Sequence, residues 1–248
     1  MKKRFGQNFL IDKNIAELEV KYANISDNDV VLEIGPGDGI LTKLLAKKAK
    51  KVVAIEIDRE LINNLKNSLP YNVDLIAGDA LKIDYNILPK FNKIVSNLPF
   101  QISSPITFKF LDFNFDLAVL IYQKEFAERM IASAGTKNYS RLSVGIYYKT
   151  KCELLKNISK NCFRPQPKVD SCMIRLIPRE TPPFNLKDEK LFYNLTKNLF
   201  SHRRKKIKNI LNYFYDIDLK DLPYLEDRIE KLTPEQIGHL SNMIHVLI

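Results

Sequence analysis

From about residue 29 the chain alternates short apolar, β-branched runs with stretches whose apolar residues recur every three or four positions. Val30 to Ile34 reads as a first strand. Residues 38–49 read as a helix, with Ile40, Leu41, Leu44 and Leu45 along one side. Lys51 to Ile57 reads as a second strand and is followed by a helix ending near Pro70. Val73 to Ala77 reads as a third strand, Ile94 to Ser96 belongs to a fourth, and Leu117 to Tyr122 to a fifth. Such alternation predicts an α/β fold of βαβ units, with a parallel sheet covered by helices on both faces. Met173 to Ile177 reads as a last strand. Thr181-Pro182-Pro183 then breaks the pattern, and no β-rich run follows. A boundary is expected there, with an α/β domain over residues 1–183 and a small helical domain over 184–248.

A length of 248 residues and 45% apolar content are enough for a packed core. No apolar run approaches the roughly 18 residues of a membrane span, and no apolar signal core follows Met1-Lys2-Lys3-Arg4. A cytoplasmic protein is expected. Cys152, Cys162 and Cys172 are an odd number without Cys-x-x-Cys spacing, and His202, His239 and His245 form no ligand pattern. No metal is expected. A net charge of +10 suits a polyanionic partner such as nucleic acid, although solubility alone would also account for it.

The candidate chemistry begins at the first strand end. Only eight glycines occur in the chain, and three of them fall within five residues, in Glu33-Ile34-Gly35-Pro36-Gly37-Asp38-Gly39. Glycine there lets the backbone turn tightly and lets a ligand approach. The spacing is G-x-G-x-G with an acid two residues before the first glycine, not the dinucleotide G-x-G-x-x-G. A pyrophosphate seeks bare helix N–H groups. S-adenosylmethionine (SAM) carries an ammonium and a sulfonium instead, so acids beside it are useful. Glu56, 21 residues beyond Gly35 (56 − 35), ends the second strand where a ribose-binding acid belongs. Asp79 ends the third strand, placed to accept from an adenine amino group. Taken singly, each acid could equally be a turn or helix cap. Three acids at three successive strand ends point to a SAM site, with an NAD(P) site or a fold that has lost its ligand as the alternatives.

The fourth strand runs into Asn97-Leu98-Pro99-Phe100. This tetrapeptide resembles the Asn/Asp-Pro-Pro-Tyr/Phe motifs of methyltransferases that act on base amino groups. Such a nitrogen is a poor nucleophile, because its lone pair is delocalised into the ring. Acceptors placed off the base plane favour a pyramidal nitrogen. The Asn97 side-chain oxygen can be one acceptor and the Leu98 carbonyl, held by Pro99, the other. Phe100 would stack on the base. The plain structural alternative is a strand-end Asn turn with Phe100 in the core.

Several segments together resemble the KsgA-type ribosomal RNA adenine dimethyltransferases. They are Lys3 to Leu10, Glu33 to Thr42, Asn97 to Ile106, Gln123-Lys124-Glu125, Arg141 to Val144, Phe163 to Ser171, and Phe200 to Leu211 as F-x-x-R-R-K-x-I-x-N-x-L. The resemblance implies a class I SAM-dependent methyltransferase sheet. It implies dimethylation of two adjacent adenines near the 3′ end of small-subunit ribosomal RNA, a role in small-subunit biogenesis, and action as a monomer on that RNA or the pre-small subunit. It further implies that Asn8 and Leu10 close over SAM and that Gly35 and Gly37 pass its methionine part. Glu56, with Ile57 beside it, would hold the ribose, Asp79 and Ala80 the adenine, and Asn97 would bridge cofactor and target. The family commonly has Tyr where Phe100 stands. Stacking survives that change and a hydroxyl is lost. The alternatives are a large-subunit adenine methylase of the macrolide-resistance type and a non-catalytic assembly factor. A DNA adenine methylase is more distant.

From Lys190 to Tyr215 there are seven basic residues and no acid, with Leu199, Phe200, Ile207, Ile210, Leu211 and Phe214 at helical spacing. Read as one helix, this puts Lys205, Lys206 and Lys208 off the apolar stripe and Arg203 and Arg204 near its edges. These five are candidate RNA contacts, against a solvated helix face for the lysines and interdomain ion pairs for the arginines. The Met1–Arg4 arm is a further candidate.

Overall fold

The computed structural model describes residues 7–248. Its backbone forms two compact units, one of residues up to 127 with 152–178, the other of 128–151 with 179–248. The chain therefore crosses between units three times, where a single boundary after residue 183 was expected. The reason lies in 128–151. Tyr139, Val144 and Tyr148 are buried in the same core as Phe192, Leu195 and Leu240, so this segment belongs to the C-terminal helices. The arm Met1–Arg4, and the first part of the Lys3–Leu10 match, lie outside the described residues.

The first unit begins with β1 (Phe9–Leu10), α1 (Lys13–Tyr22), β2 (Val30–Ile34), α2 (Ile40–Ala46), β3 (Lys51–Glu56), α3 (Arg59–Lys66) and β4 (Val73–Ala77). It continues with β5 (Lys93–Asn97), α4 (Ser103–Phe110) and β6 (Leu117–Gln123). The chain leaves through α5 (Lys124–Met130) and α6 (Arg141–Lys149). It returns as β7 (Thr150–Ile158), β8 (Phe163–Arg164) and β9 (Ser171–Pro178). Seven strands make one sheet in the order β4-β3-β2-β5-β6-β9-β7. The first five pair in parallel, and β9 pairs antiparallel with β6, so the sheet is mixed. The central strands read as unbroken apolar runs because both faces are covered; β2, β3 and β6 are buried along almost their whole length.

This order dictates where a ligand can sit. From β2 the chain winds outward through β3 to β4, then returns to the other side of β2 as β5. The strand order reverses between β2 and β5, and the crevice opens at their carboxyl ends. Ser96 Oγ donates to the Ile34 carbonyl at 2.7 Å and ties those two ends together.

The helices begin where side chains satisfy their first N–H groups. Asp12 accepts from Asn14 N in α1, and Asp58 from Glu60 N in α3. In the second unit, α7 (Glu189–Ser201) is capped by Asp188. Helix α8 (Ile207–Phe214) follows, and α9 (Pro234–Ile244) opens on a Thr233–Gln236 capping box. Among the described residues no helix is long and apolar enough to cross a membrane.

Candidate active site

The loop after β2 follows from its glycines. Gly35, Gly37 and Gly39 have φ of +69°, +57° and +77°, a region costly for residues with a Cβ. Space is as tight as the torsion. A Cβ on Gly37 would come within 2.7 Å of Phe9 Cδ1, and one on Gly35 within 3.2 Å of Pro99 Cγ. The loop is thus pressed between β1 on one side and the turn after β5 on the other.

The acids gather around it. Glu56, 4% exposed, accepts from Ile57 N and Asp58 N at 2.9 Å through Oε1, and from Gly37 N at 3.4 Å through Oε2. It therefore joins the end of β3 to the glycine loop while Oε2 keeps acceptor capacity. Burial raises its carboxyl above the ordinary range, and those N–H bonds pull the other way. Glu33, 2% exposed, is buried; burial pushes its carboxyl up to about 8, against a hydrogen bond with Thr42 that pulls the other way. Behind it, on α1, lies Glu19, fully buried with both oxygens unpartnered among the described residues. Burial first, then the neighbouring Glu33, raises Glu19 well above the usual range. The sequence reading passed over Glu19, because a lone Glu in a helical pattern carries no signal of burial.

The turn after β5 is rigid. Pro99 sits at φ −58° and ψ 119° and leads into a 3₁₀ turn over Phe100–Ile102. Asn97 Nδ2 donates to the Asn8 carbonyl at 3.2 Å, which leaves Oδ1 buried and without a partner among the described residues. Leu98 is buried. Phe100 is half-buried, its ring edge-on to Phe163 with centroids 6.3 Å apart. Phe163 lies in β8, which pairs antiparallel with β1 (Leu10↔Phe163, Phe9↔Arg164). The Phe163–Arg164 part of the family-like segment therefore fastens β1, and with it Asn8 and Leu10, at the mouth of the crevice.

Beyond β4, Asp79 Oδ1 accepts from Leu81 N at 2.9 Å, so this acid also serves as a turn cap. The loop it starts is held by a residue the sequence reading missed. Lys109 of α4 donates to the carbonyls of Ala80 (2.9 Å), Leu81 (3.2 Å) and Ile83 (2.5 Å), and its ammonium lies 4.0 Å from the centre of the Tyr85 ring. All three ammonium protons are thus used on one loop. Nothing in the local sequence marks Lys109, since its partners are 26–29 residues away.

One pocket is lined by all the cofactor candidates: Asn8, Leu10, Gly35, Gly37, Glu56, Ile57, Asp79, Ala80 and Asn97, with Leu98, Pro99 and Phe100. Among the described residues, its lining also holds Glu33 and Asp38, and no lysine, arginine or histidine. Asp38, Glu56 and Asp79, beside a Glu33 that burial keeps protonated and with no cation from a described residue, fit a ligand bearing an ammonium and a sulfonium, and they oppose a pyrophosphate. The residues present therefore fit SAM and disfavour the NAD(P) alternative. Among the described residues no group of three or more His, Cys, Asp or Glu is placed to hold a metal.

The basic segment of the second unit is arranged differently from the expected single helix. Helix α7 ends at Ser201, a turn follows, and α8 starts after Lys206, so Lys205 and Lys206 lie in the turn. Arg203 Nε donates to Glu230 at 2.7 Å, and its other nitrogens donate to the carbonyls of Lys137 and Thr136. It ties parts of its own unit together, so its ion pair lies within one unit and not between two. Lys206 and Lys208 both donate to Glu226. Arg204 and Lys205 are exposed.

Comparison with known proteins agrees with this geometry. A family profile described as "Ribosomal RNA adenine dimethylase" matches residues 1–245. The chain is 43% identical over 252 residues to "Probable ribosomal RNA small subunit methyltransferase A" of Methanosarcina acetivorans, covering 97% of this chain and 92% of that one. It is 48% identical over 244 residues to the protein of the same description in Thermococcus gammatolerans, covering 94% and 85%. Among solved structures it is similar to a dimethyladenosine transferase from Plasmodium falciparum, with TM-score 0.79, 32% identity and 96% of each chain covered. It is also similar to the 23S rRNA methyltransferase ErmE, with TM-score 0.69, 26% identity and 94% and 98% covered. The sheet is that of the class I methyltransferases.

Proposed function

Because the chain belongs to the ribosomal RNA adenine dimethylase family and is thus a methyltransferase, we propose that it uses SAM to dimethylate the exocyclic amines of two adjacent adenines near the 3′ end of small-subunit ribosomal RNA. On this reading it acts during small-subunit biogenesis. The relatives at 43–48% identity carry a small-subunit description, which favours this substrate over the large-subunit alternative.

One observation carries the reading. Asn97 Oδ1 is buried, has no partner among the described residues, and Asn97 lines the same pocket as the glycine loop. An orphaned buried acceptor costs roughly 1–3 kcal/mol, so its retention calls for a donor that arrives from outside. The amino group of a flipped adenine is such a donor. Asn97 Oδ1 and the Leu98 carbonyl would accept its two protons and turn its lone pair out of the ring plane. Pro99 fixes the direction of that carbonyl. Phe100, braced edge-on by Phe163, would stack on the base. When bound, SAM supplies an electrophilic methyl group. Glu56 would hold its ribose, Asp79 and Ala80 its adenine, and the wall of Gly35 and Gly37 its methionine part. No strong general base is required, because the nitrogen becomes acidic as it is methylated. Acceptors already aimed at developing positive charge stabilise the transition state without reorganising.

The test is methyl transfer from labelled SAM to unmethylated small ribosomal subunits, with large subunits and duplex DNA alongside, followed by nucleoside digestion. Dimethyladenosine in small-subunit RNA only is the expected product. Asn97→Ala should lower turnover by roughly 100-fold or more while RNA affinity holds, as for other preorganised polar groups. Unchanged turnover would remove Asn97 from the chemistry, and label in large-subunit RNA would replace the substrate.

A further inference from the structure

Helix α8 buries Ile207, Ile210 and Leu211, the positions that one helical stripe requires. Tyr213 falls off that stripe and is 75% exposed. Phe214, next to it, is 38% exposed, where another turn of the stripe would bury it. The two rings stand perpendicular, with centroids 4.9 Å apart, and His202 packs on both, 6.1 Å from Tyr213 and 5.4 Å from Phe214. The histidine is itself tethered. Its Nδ1 lies 3.3 Å from the Asn198 carbonyl and 2.9 Å from Ser201 Oγ, at the end of α7. Single exposed apolar side chains are ordinary, but three contiguous rings in fixed mutual geometry are not.

The charges beside them sort into two classes. Arg203 is paired with Glu230, and Lys206 and Lys208 share the one carboxylate of Glu226, which offsets one of their two charges. Arg204 and Lys205, in the turn that starts at His202, are exposed and form no ion pair with any described residue. No acid occurs from Lys190 to Tyr215. An aromatic face flanked by unneutralised cations is the chemistry of single-stranded nucleic acid binding, in which bases stack and phosphates pair. An apolar protein partner would have no use for the two cations. We infer that His202, Tyr213 and Phe214 form a stacking platform for an unpaired RNA base, with Arg204 and Lys205 on the adjoining phosphates. This rests on the reading of the chain as an RNA methyltransferase, and it adds a contact outside the catalytic pocket.

The experiment uses the full chain and two fluorescent RNA probes of equal length, one single-stranded with a 2-aminopurine base and one duplex. Tyr213→Ala should weaken single-stranded binding roughly 5-fold or more and relieve 2-aminopurine quenching, with duplex binding nearly unchanged. Tyr213→Phe should restore both. Arg204→Gln with Lys205→Gln should lower the slope of log affinity against log salt by about 1.4 on the single strand. Equal binding by wild type and Tyr213→Ala overturns the platform, as does an equal loss on both probes. Unchanged RNA binding with loss of a small-subunit protein from the bound particle would assign the face to a protein partner and also overturn it. Methyl transfer by the wild type is measured in parallel. It reports the proposed function separately, so failure of one reading is distinguishable from failure of the other.

Discussion

Replacing Glu33 by Gln should change how stability depends on pH, in a direction opposite to that of most carboxylates. Burial pushes the Glu33 carboxyl up to about 8 from an ordinary 4.5, and the negative Glu56 adds to the shift. Between those values the folded chain keeps a proton that the unfolded chain has released. The unfolded state then binds fewer protons, so stability is lost as pH rises. The span of about 3.5 pH units corresponds to about 5 kcal/mol over the whole window, at about 1.4 kcal/mol per unit. Between about pH 6 and about pH 7.5, where both states are easily handled, wild type should lose about 2 kcal/mol from this one group. The Glu33→Gln chain is isosteric and cannot ionise there. Glu19, raised first by burial and then by Glu33, contributes a slope of the same sign to both chains, so the difference between chains reports Glu33 together with its effect on Glu19. Urea unfolding of the ligand-free proteins, followed by far-UV circular dichroism across this range, gives the two profiles. The variant should be the more stable, by a margin that widens by about 2 kcal/mol towards alkaline pH. Parallel profiles would refute the reasoning and mean that Glu33 is already ionised in the fold.

Two further substitutions separate holding roles from contact roles. Lys109→Met keeps the aliphatic stem but frees the carbonyls of Ala80, Leu81 and Ile83; bonds to charged groups contribute about 1.5–3 kcal/mol net each. The KM for SAM should rise about 10-fold or more with kcat much less affected, and an unchanged KM would remove Lys109 from the cofactor site. Arg203→Gln should destabilise the second unit by about 1–3 kcal/mol, read by hydrogen exchange in α7, because Glu230 and two carbonyls lose their donor. It should leave the salt dependence of RNA binding unchanged, and a shallower slope would return Arg203 to the RNA surface.

What the sequence determined by itself is whatever local pattern encodes. Apolar runs placed the strands from β2 to β6, most plainly β2, β3 and β6, because a strand covered on both faces must be apolar throughout. The crowded glycines marked the turn after β2, because a positive φ is a property of one residue and its neighbours. Acids and an Asn at successive strand ends converged on one pocket, because parallel strands joined by helices bring those ends to the same edge of the sheet. Tertiary structure decided the rest. Residues 128–151 joined the second unit because Val144 and Tyr148 are buried with α7 and α9, and no punctuation in the chain marks that choice. The break at His202 put Lys205 and Lys206 in a turn, although periodicity ran smoothly across it. Pairing of β1 with β8 joins residues more than 150 positions apart, and Lys109 serves carbonyls supplied by another segment. Such partnerships depend on which elements the packed sheet brings together. Periodicity reports how a segment is buried and is silent about what it is buried against.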